Sequence, residues 1–184
     1  MAFEPIPVEL FFESFSGEDE LGVVIRAHLH VESLVHQYIA AKVFDVKPLK
    51  KLRLDFDIWV DIACALGLPS EVAPGVKSLG GLRNKFAHRP GQVLTRESVG
   101  ALYETLSPRS KAAAQHSYKN LVDRAEDKRP SFREVDPKTK FCLIAISVYA
   151  NLLIELEQNG NAQPEAMAVF GGAQQGNVEG GAAP

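Results

Sequence analysis

Apolar residues recur along the chain at the three- and four-residue spacings of amphipathic helices, and Pro and Gly residues interrupt them. The chain has no convincing alternation typical of strands and no internal repeat. This pattern predicts an all-α protein in which five or six helices, some of them short, form a bundle. The predicted helices cover about residues 17–44, 50–66, 76–89, 96–107, 110–127 and 137–160.

Individual residues mark the expected ends of these helices. Ser16, followed three residues later by Asp19, resembles a capping box at the start of the first helix. Pro137 suits the first position of the last helix. Pro48 follows the expected end of the first helix, and Pro108 is expected to end the fourth.

The C-terminal segment, residues 159–184, differs in composition from the rest of the chain. It holds six of the fourteen glycines, and its charged residues are Glu165 and Glu179. Such a segment buries too little apolar surface to offset the entropy lost on ordering. We therefore expect a helical domain over residues 1–158 and a disordered tail, rich in Gly, Ala, Gln and Asn, over residues 159–184.

Composition narrows the class of protein. A chain with 46% hydrophobic and 23% charged residues has the balance of a soluble globular domain. Its net charge of -3 argues against a broadly basic nucleic-acid binder, so nucleic-acid contact has to come from a local patch. Cys64 and Cys142 lie in apolar stretches, which predicts that both are buried thiols. Such thiols favour a reducing compartment. With no signal peptide and no run of about 18 apolar residues, we expect a cytoplasmic protein without membrane contact.

The segment 79–90 carries the candidate chemistry. On a helix that turns about 100° per residue, Leu79, Leu82 and Phe86 fall on one stripe, and Asn84 and His88 share the opposite face. The apolar stripe is expected to pack inward. Asn84 and His88 are then left for solvent or for a partner.

Cationic side chains surround this polar face: Arg83, Lys85 and Arg89. These residue types suit chemistry at a phosphodiester, because a neutral imidazole can accept a proton from a ribose 2′-hydroxyl and Arg can hold a phosphate by a bidentate fork. Such chemistry needs no cofactor, and a twofold dimer would bring a second His88 as general acid. The alternative is that Arg83 and His88 are ordinary exposed residues, with His88 favoured at a helix C-terminus by the helix dipole.

Glu32 lies within an apolar stripe of the first helix, where an ionised carboxylate needs a partner. Arg83 is the expected cation, in a structural ion pair. A metal site formed by His28, Glu32 and His36 is the alternative, but residues eight apart on a helix are separated by about 12 Å along its axis, too far to share one ion. We therefore expect no metal. The stripe consists of Leu21, Ile25, Leu29, Ile39 and Val43.

The segment Leu82–His88 resembles the signature of HEPN domains, in which an Arg and a polar residue are followed by a His a few positions later. This segment follows a long first helix that contains Glu32 and then the apolar segment 62–68. The order of these three segments is similar to that in the mannitol operon repressor-like (MltR-like) branch of that superfamily. The resemblance covers about residues 19–91, with 137–157 as a plausible closing helix.

This resemblance implies an all-α bundle, often homodimeric, with the motif facing a cleft between protomers. In HEPN ribonucleases the matching Arg and His are the catalytic pair and the polar residue assists them, which implies catalytic roles for Arg83, His88 and Asn84. Lys85 and Arg89 are the expected substrate-binding residues beside them.

Two functional hypotheses follow. The first is a bacterial-type regulatory or defence protein that contacts RNA and cleaves it as a metal-independent endoribonuclease. The second is a non-catalytic transcription regulator, similar to the mannitol operon repressors, that binds a protein partner such as an antitoxin or another regulator. The chain has no helix-turn-helix signature with a basic recognition helix.

Overall fold

The fold is given by a computed structural model that describes residues 5–123 and 131–159. All regular structure in these residues is helical, which confirms the predicted all-α class. Their helices number eight rather than five or six. They are α1 (Val8–Glu13), α2 (Glu20–Lys42), α3 (Lys47–Lys50), α4 (Phe56–Ala65), α5 (Ala73–His88), α6 (Arg96–Glu104), α7 (Pro108–Asp123) and α8 (Pro137–Asn159).

Helix α8 forms the centre of the bundle. It packs chiefly against α2 and α7 and also contacts α1, α5 and α6. Phe141, Ile144 and Tyr149 on this helix are fully buried. The helix is also long and apolar enough to cross a membrane, with a mean hydropathy of 1.6 within Pro137–Gln158, but 72% of that apolar window is buried inside the protein. Core helices of soluble proteins share this composition, so length and hydropathy do not distinguish the two.

The N-terminal half of α2 differs from the prediction. Asp19, rather than Ser16, is the N-cap, and its carboxylate accepts a hydrogen bond from the Gly22 amide at 2.7 Å. The predicted inward stripe is wrong here, since Leu21 is 47% and Leu29 is 42% exposed. Because α2 packs against α8 as well as against α4 and α5, other apolar residues face the core. They are Val23, Val24, Ala27, Val31, Leu34 and Val35.

The segment predicted as one helix over residues 50–66 is interrupted. Arg53 has a φ of 48°, in the left-handed region that a right-handed helix cannot include. Helix α3 therefore ends before Arg53, and α4 begins after it, at Phe56. Pro108, predicted to end a helix, instead begins α7, where the missing amide hydrogen of proline costs no helical hydrogen bond.

Helix α1 is not predicted from the sequence, because six residues are too few to show a period. Phe11 on this helix is fully buried and stacks on Tyr149, with ring centroids 4.3 Å apart. The Tyr149 hydroxyl accepts a hydrogen bond from the Ile6 amide and donates one to the Ile6 carbonyl oxygen, at 3.0 and 2.8 Å. These contacts attach the start of the described chain to α8.

The remaining predictions have mixed outcomes. Helix α8 begins at Pro137 as predicted, and α6 begins after Thr95, which forms a capping box with Ser98. Cys142 is a buried free thiol whose pKa burial raises to about 11, whereas the free thiol of Cys64 is only half-buried. Residues 160–184 of the predicted tail, and 124–127 of the predicted fifth helix, lie outside the described residues.

Candidate functional site

Helix α5 has the two faces that its sequence predicts. Leu79, Leu82 and Phe86 are buried in the hydrophobic core, whereas Asn84 and His88 are exposed. Lys85 and Arg89 are also exposed, and Arg83 lies between the faces, half-buried. The chain thus presents a polar, cationic surface, which we call the outward face of α5 and define as Arg83, Asn84, Lys85, His88 and Arg89.

Arg83 and Asn84 border a pocket of about 500 Å³ between α2, α4 and α5, which we call the polar pocket. Pockets of this size fall within the range of about 300–1,000 Å³ that holds small ligands. Its polar lining consists of His28, Glu32, Asp55, Asp57, Arg83 and Asn84. The rest of the lining comes from Leu54, Phe56, Ile58, Gly80 and Gly81.

His28 lies at the inner wall of this pocket and is 3% exposed. Burial, the positive charge of Arg83 and, to a smaller extent, His36 together lower its pKa to about 4. The imidazole is therefore neutral at pH 7. Its Nδ1 atom is buried and has no hydrogen-bond partner among the described residues.

Glu32 lies one helical turn from His28, and its Oε2 atom is 3.6 Å from His28 Nε2. Because His28 is neutral, this contact is not an ion pair at pH 7. Burial raises the pKa of Glu32, and the nearby charge of Arg83 opposes that shift. The side chain of Glu32 remains 31% exposed, so its carboxylate can be reached from the pocket.

The guanidinium of Arg83 reaches its neighbour rather than Glu32. Arg83 Nη1 donates a hydrogen bond to Asn84 Oδ1 at 3.0 Å, and the buried Nε of Arg83 has no partner within the described chain. No ion pair of 4 Å or less joins Glu32 to Arg83 among residues 5–123 and 131–159. The structure places the two charges at one pocket, and their direct pairing stays a prediction.

Gly80 allows the Phe56 ring to pack closely against α5 at the polar pocket. A Cβ atom at Gly80 would lie 2.6 Å from Cδ1 of Phe56, whose ring contacts His28 edge-on with centroids 4.7 Å apart. Only a residue without a side chain lets the Phe56 ring lie this close to α5. At Gly81, by contrast, an added Cβ would have no neighbour within 4 Å.

These two glycines give a matched pair of variants. We expect Gly80→Ala to destabilise the protein by about 1–3 kcal/mol, because the Phe56 ring has to move. Gly81→Ala should instead stabilise it by about 0.5–1 kcal/mol, since Ala loses less conformational entropy than Gly within a helix. Urea unfolding of both variants measures the difference, and equal effects would show that Phe56 does not pack on Gly80.

Arg89 borders a second, more apolar pocket of about 430 Å³. Its lining is Asp19, Glu20, Leu21, Phe86, Arg89, Pro90, Gly91, Gln92 and Val93. Of the predicted site residues, Arg83, Asn84 and Glu32 therefore meet at the polar pocket, and Arg89 lies at the apolar one. Lys85 and His88 line neither of these two pockets.

Asp55 and Asp57 are pocket residues that the sequence analysis misses. The sequence predicts a continuous helix over residues 50–66. That prediction leaves out the turn at Arg53, which brings these carboxylates to α5. An available signal was Asp55 itself, because Asp before an apolar helical stretch is typical of a helix N-cap position. The structure assigns Asp55 that position in α4.

In the part of the chain that the structure describes, carboxylate, imidazole and thiol groups do not cluster as metal ligands do. Within the described residues, no three His, Cys, Asp or Glu side chains are grouped so that they could hold a metal ion. His28 and Glu32 are the pair that comes together, and the other two carboxylates of the polar pocket are exposed at its edge.

The resemblance of this chain to HEPN and mannitol operon repressor-like domains stays a prediction from the sequence motif. Comparison of the chain with protein-family models, with curated proteins and with solved structures found no match.

Proposed function

We propose that this chain is a HEPN-like, mannitol operon repressor-like protein of bacterial-type regulation or defence that contacts RNA through the outward face of α5. The observation that supports this proposal is the exposure of Lys85, His88 and Arg89 on a helix whose opposite side is held in the core by Leu82 and Phe86. A rigid helix that presents cations and an amide outward suits the phosphate and base groups of a single strand.

The proposed assembly is a homodimer with the two α5 faces across one cleft. Arg83 and Asn84 turn toward the polar pocket in one chain, whereas His88 lies one turn farther on, outside both described pockets. A twofold axis near α5 would place a second copy of this face opposite the first. The cleft would then hold two imidazoles and two guanidinium groups.

In this cleft the proposed reaction is transesterification of the RNA backbone. His88 accepts the proton of a ribose 2′-hydroxyl, the 2′-oxygen forms a bond to phosphorus, and the bond from phosphorus to the 5′-oxygen breaks. The second His88, protonated, donates a proton to that departing oxygen. Arg83 of that second protomer stabilises the charge on the phosphate, and the products are a 2′,3′-cyclic phosphate and a 5′-hydroxyl.

Cleavage of a mixed RNA in the presence of EDTA tests this reaction. We expect His88→Ala to lower the cleavage rate by about 10²–10⁴-fold, the usual contribution of a general base. His116→Ala is the matched control, because His116 is also exposed but lies on α7, away from α5. No cleavage by the unmodified protein would exclude the enzymatic function, and equal cleavage by the two variants would exclude His88 as its general base.

The second candidate function is a non-catalytic transcription regulator that binds a protein partner with the same region. The observation in its favour is the pair of exposed apolar side chains at the apolar pocket, where Leu21 is 47% and Val93 is 54% exposed. Exposed apolar groups of this kind are typical of protein-protein contacts. If the protein does not bind RNA in a gel-shift assay, this candidate function is favoured.

The cytoplasm is the proposed compartment. Free thiols at Cys64 and Cys142 suit a reducing environment, and the burial of α8 accounts for its apolar composition without a membrane.

A further inference from the structure

We propose that the polar pocket binds a guanine base. This inference deepens the proposed function by naming the base that an RNA would place beside α5. It also applies to a free guanosine nucleotide, which carries the same base.

The first observation is that the pocket holds polar groups whose needs the described protein does not meet. Arg83 and Glu32 share the pocket without an ion pair of 4 Å or less. The carboxylate of Glu32 is 31% exposed, and its contact with the neutral His28 is not an ion pair. Opposite charges that line one pocket without pairing leave hydrogen-bonding capacity that a polar ligand can satisfy.

The sign of the charges tells which part of a nucleotide enters. The pocket is lined by one guanidinium, from Arg83, and by three carboxylates, from Glu32 and from the exposed Asp55 and Asp57. This excess of negative charge disfavours a phosphate inside the pocket. A heterocyclic base with hydrogen-bond donors fits it better, and its phosphate can remain outside, on the exposed cations Lys85 and Arg89.

The hydrogen-bonding groups of Arg83 and Glu32 favour one of the four RNA bases over the others. Guanine presents two neighbouring acceptors, O6 and N7, which an Arg fork binds in a bidentate manner. It also presents two neighbouring donors, N1–H and the 2-amino group, and a carboxylate accepts both. Adenine and cytosine each offer a single exocyclic amino group, and uracil has none. Arg83 and Glu32 together therefore match guanine better than any other base of RNA.

The apolar part of the lining suits the faces of a base. Leu54, Phe56 and Ile58 come from the turn before α4 and from its first residues, and Ile58 is 44% exposed. Unstacked bases of single-stranded RNA are commonly held against such apolar or aromatic surfaces. Because α4 packs against α5, these side chains and α5 line the same pocket.

Calorimetric titration with the four nucleoside 5′-monophosphates tests the base preference. We expect guanosine monophosphate to bind at least about tenfold more tightly than the other three, in keeping with the discrimination of a bidentate base contact. Inosine monophosphate, which lacks the 2-amino group, and 7-deazaguanosine monophosphate, which lacks N7, should each bind more weakly than guanosine monophosphate. Equal affinity for all four bases would overturn the inference.

Variants assign the contact to this pocket. Glu32→Gln should lower the affinity for guanosine monophosphate by about tenfold, because an amide oxygen replaces a carboxylate that accepts from two donors. The loss should be smaller for inosine monophosphate. Glu71→Gln is the matched control on an exposed carboxylate outside the pocket, and it should leave both affinities unchanged. A Glu32→Gln protein with an unchanged melting temperature and unchanged affinity would refute the inference.

Parallel gel shifts with oligoguanylate and oligoadenylate separate this inference from the proposed function. Binding of guanosine monophosphate without binding of either RNA supports the pocket, with a free nucleotide as its ligand, and contradicts RNA contact. Tighter binding of oligoguanylate supports both. Equal binding of both RNAs without binding of guanosine monophosphate supports RNA contact and contradicts the guanine pocket.

Discussion

Phe86→Ala is expected to lower the free energy of unfolding by about 3–5 kcal/mol. Phe86 is 6% exposed and belongs to the main core cluster, where it lies on the inward stripe of α5 with Leu79 and Leu82. Removing its ring takes away apolar surface that is buried on folding and leaves a cavity that the helices around it fill only in part. Urea unfolding at pH 7.5, followed by circular dichroism, measures the change.

Asn84→Ala is the matched variant on the opposite face of the same helix. Its side chain is exposed, and its hydrogen bond is the one that Arg83 donates to it. We expect a change in stability within about 0.5 kcal/mol, as is usual for exposed positions without a special role. Comparable losses in the two variants would mean that the faces of α5 are assigned wrongly, and with them the outward face on which the proposed function depends.

The faces of α5 could be predicted because this helix has one clearly apolar stripe. Helix α2 shows the limit of that reasoning. It packs on α8 from one side and on α4 and α5 from another, so apolar residues occupy more than one of its faces. Where most faces are apolar, periodicity does not tell which of them meets the core, and Leu21 and Leu29 are exposed although the pattern predicts them inside.

The candidate site was also predicted only in part from the sequence. A carboxylate inside an apolar helix demands a polar environment, which is why the amino-acid sequence alone links Glu32 to Arg83, and the two do line one pocket. Asp55 and Asp57 could not be linked to them. Their position depends on the left-handed turn at Arg53, and no spacing of apolar residues reports a single φ angle.

Acidification from pH 7.5 to 5.0 is expected to lower the free energy of unfolding by about 4 kcal/mol through two histidines of α2. Burial lowers the pKa of His28 to about 4, assisted by the charges of Arg83 and His36, and burial with the charge of Lys50 lowers the pKa of His36 to about 4. In the unfolded chain each returns to about 6.5.

The direction of this effect follows from proton uptake. Between pH 6.5 and 4 the unfolded chain binds protons at both positions while the folded protein does not, so the unfolded state gains stability as the pH falls. At pH 5.0 each histidine accounts for about 2 kcal/mol. Glu32, whose pKa burial raises, acts in the opposite direction and reduces the net loss, because it takes up its proton at a higher pH when folded.

Urea unfolding of the unmodified protein and of His28→Gln at pH 7.5 and 5.0 isolates the contribution of one buried histidine. Since Gln does not titrate, the difference between the two pH values should be smaller in this variant by about 2 kcal/mol. His116→Gln, which alters an exposed histidine on α7, should keep the full difference. If His28→Gln also keeps it, His28 is hydrated in solution, and the inner wall of the polar pocket is then open to water rather than closed by Phe56 and α5.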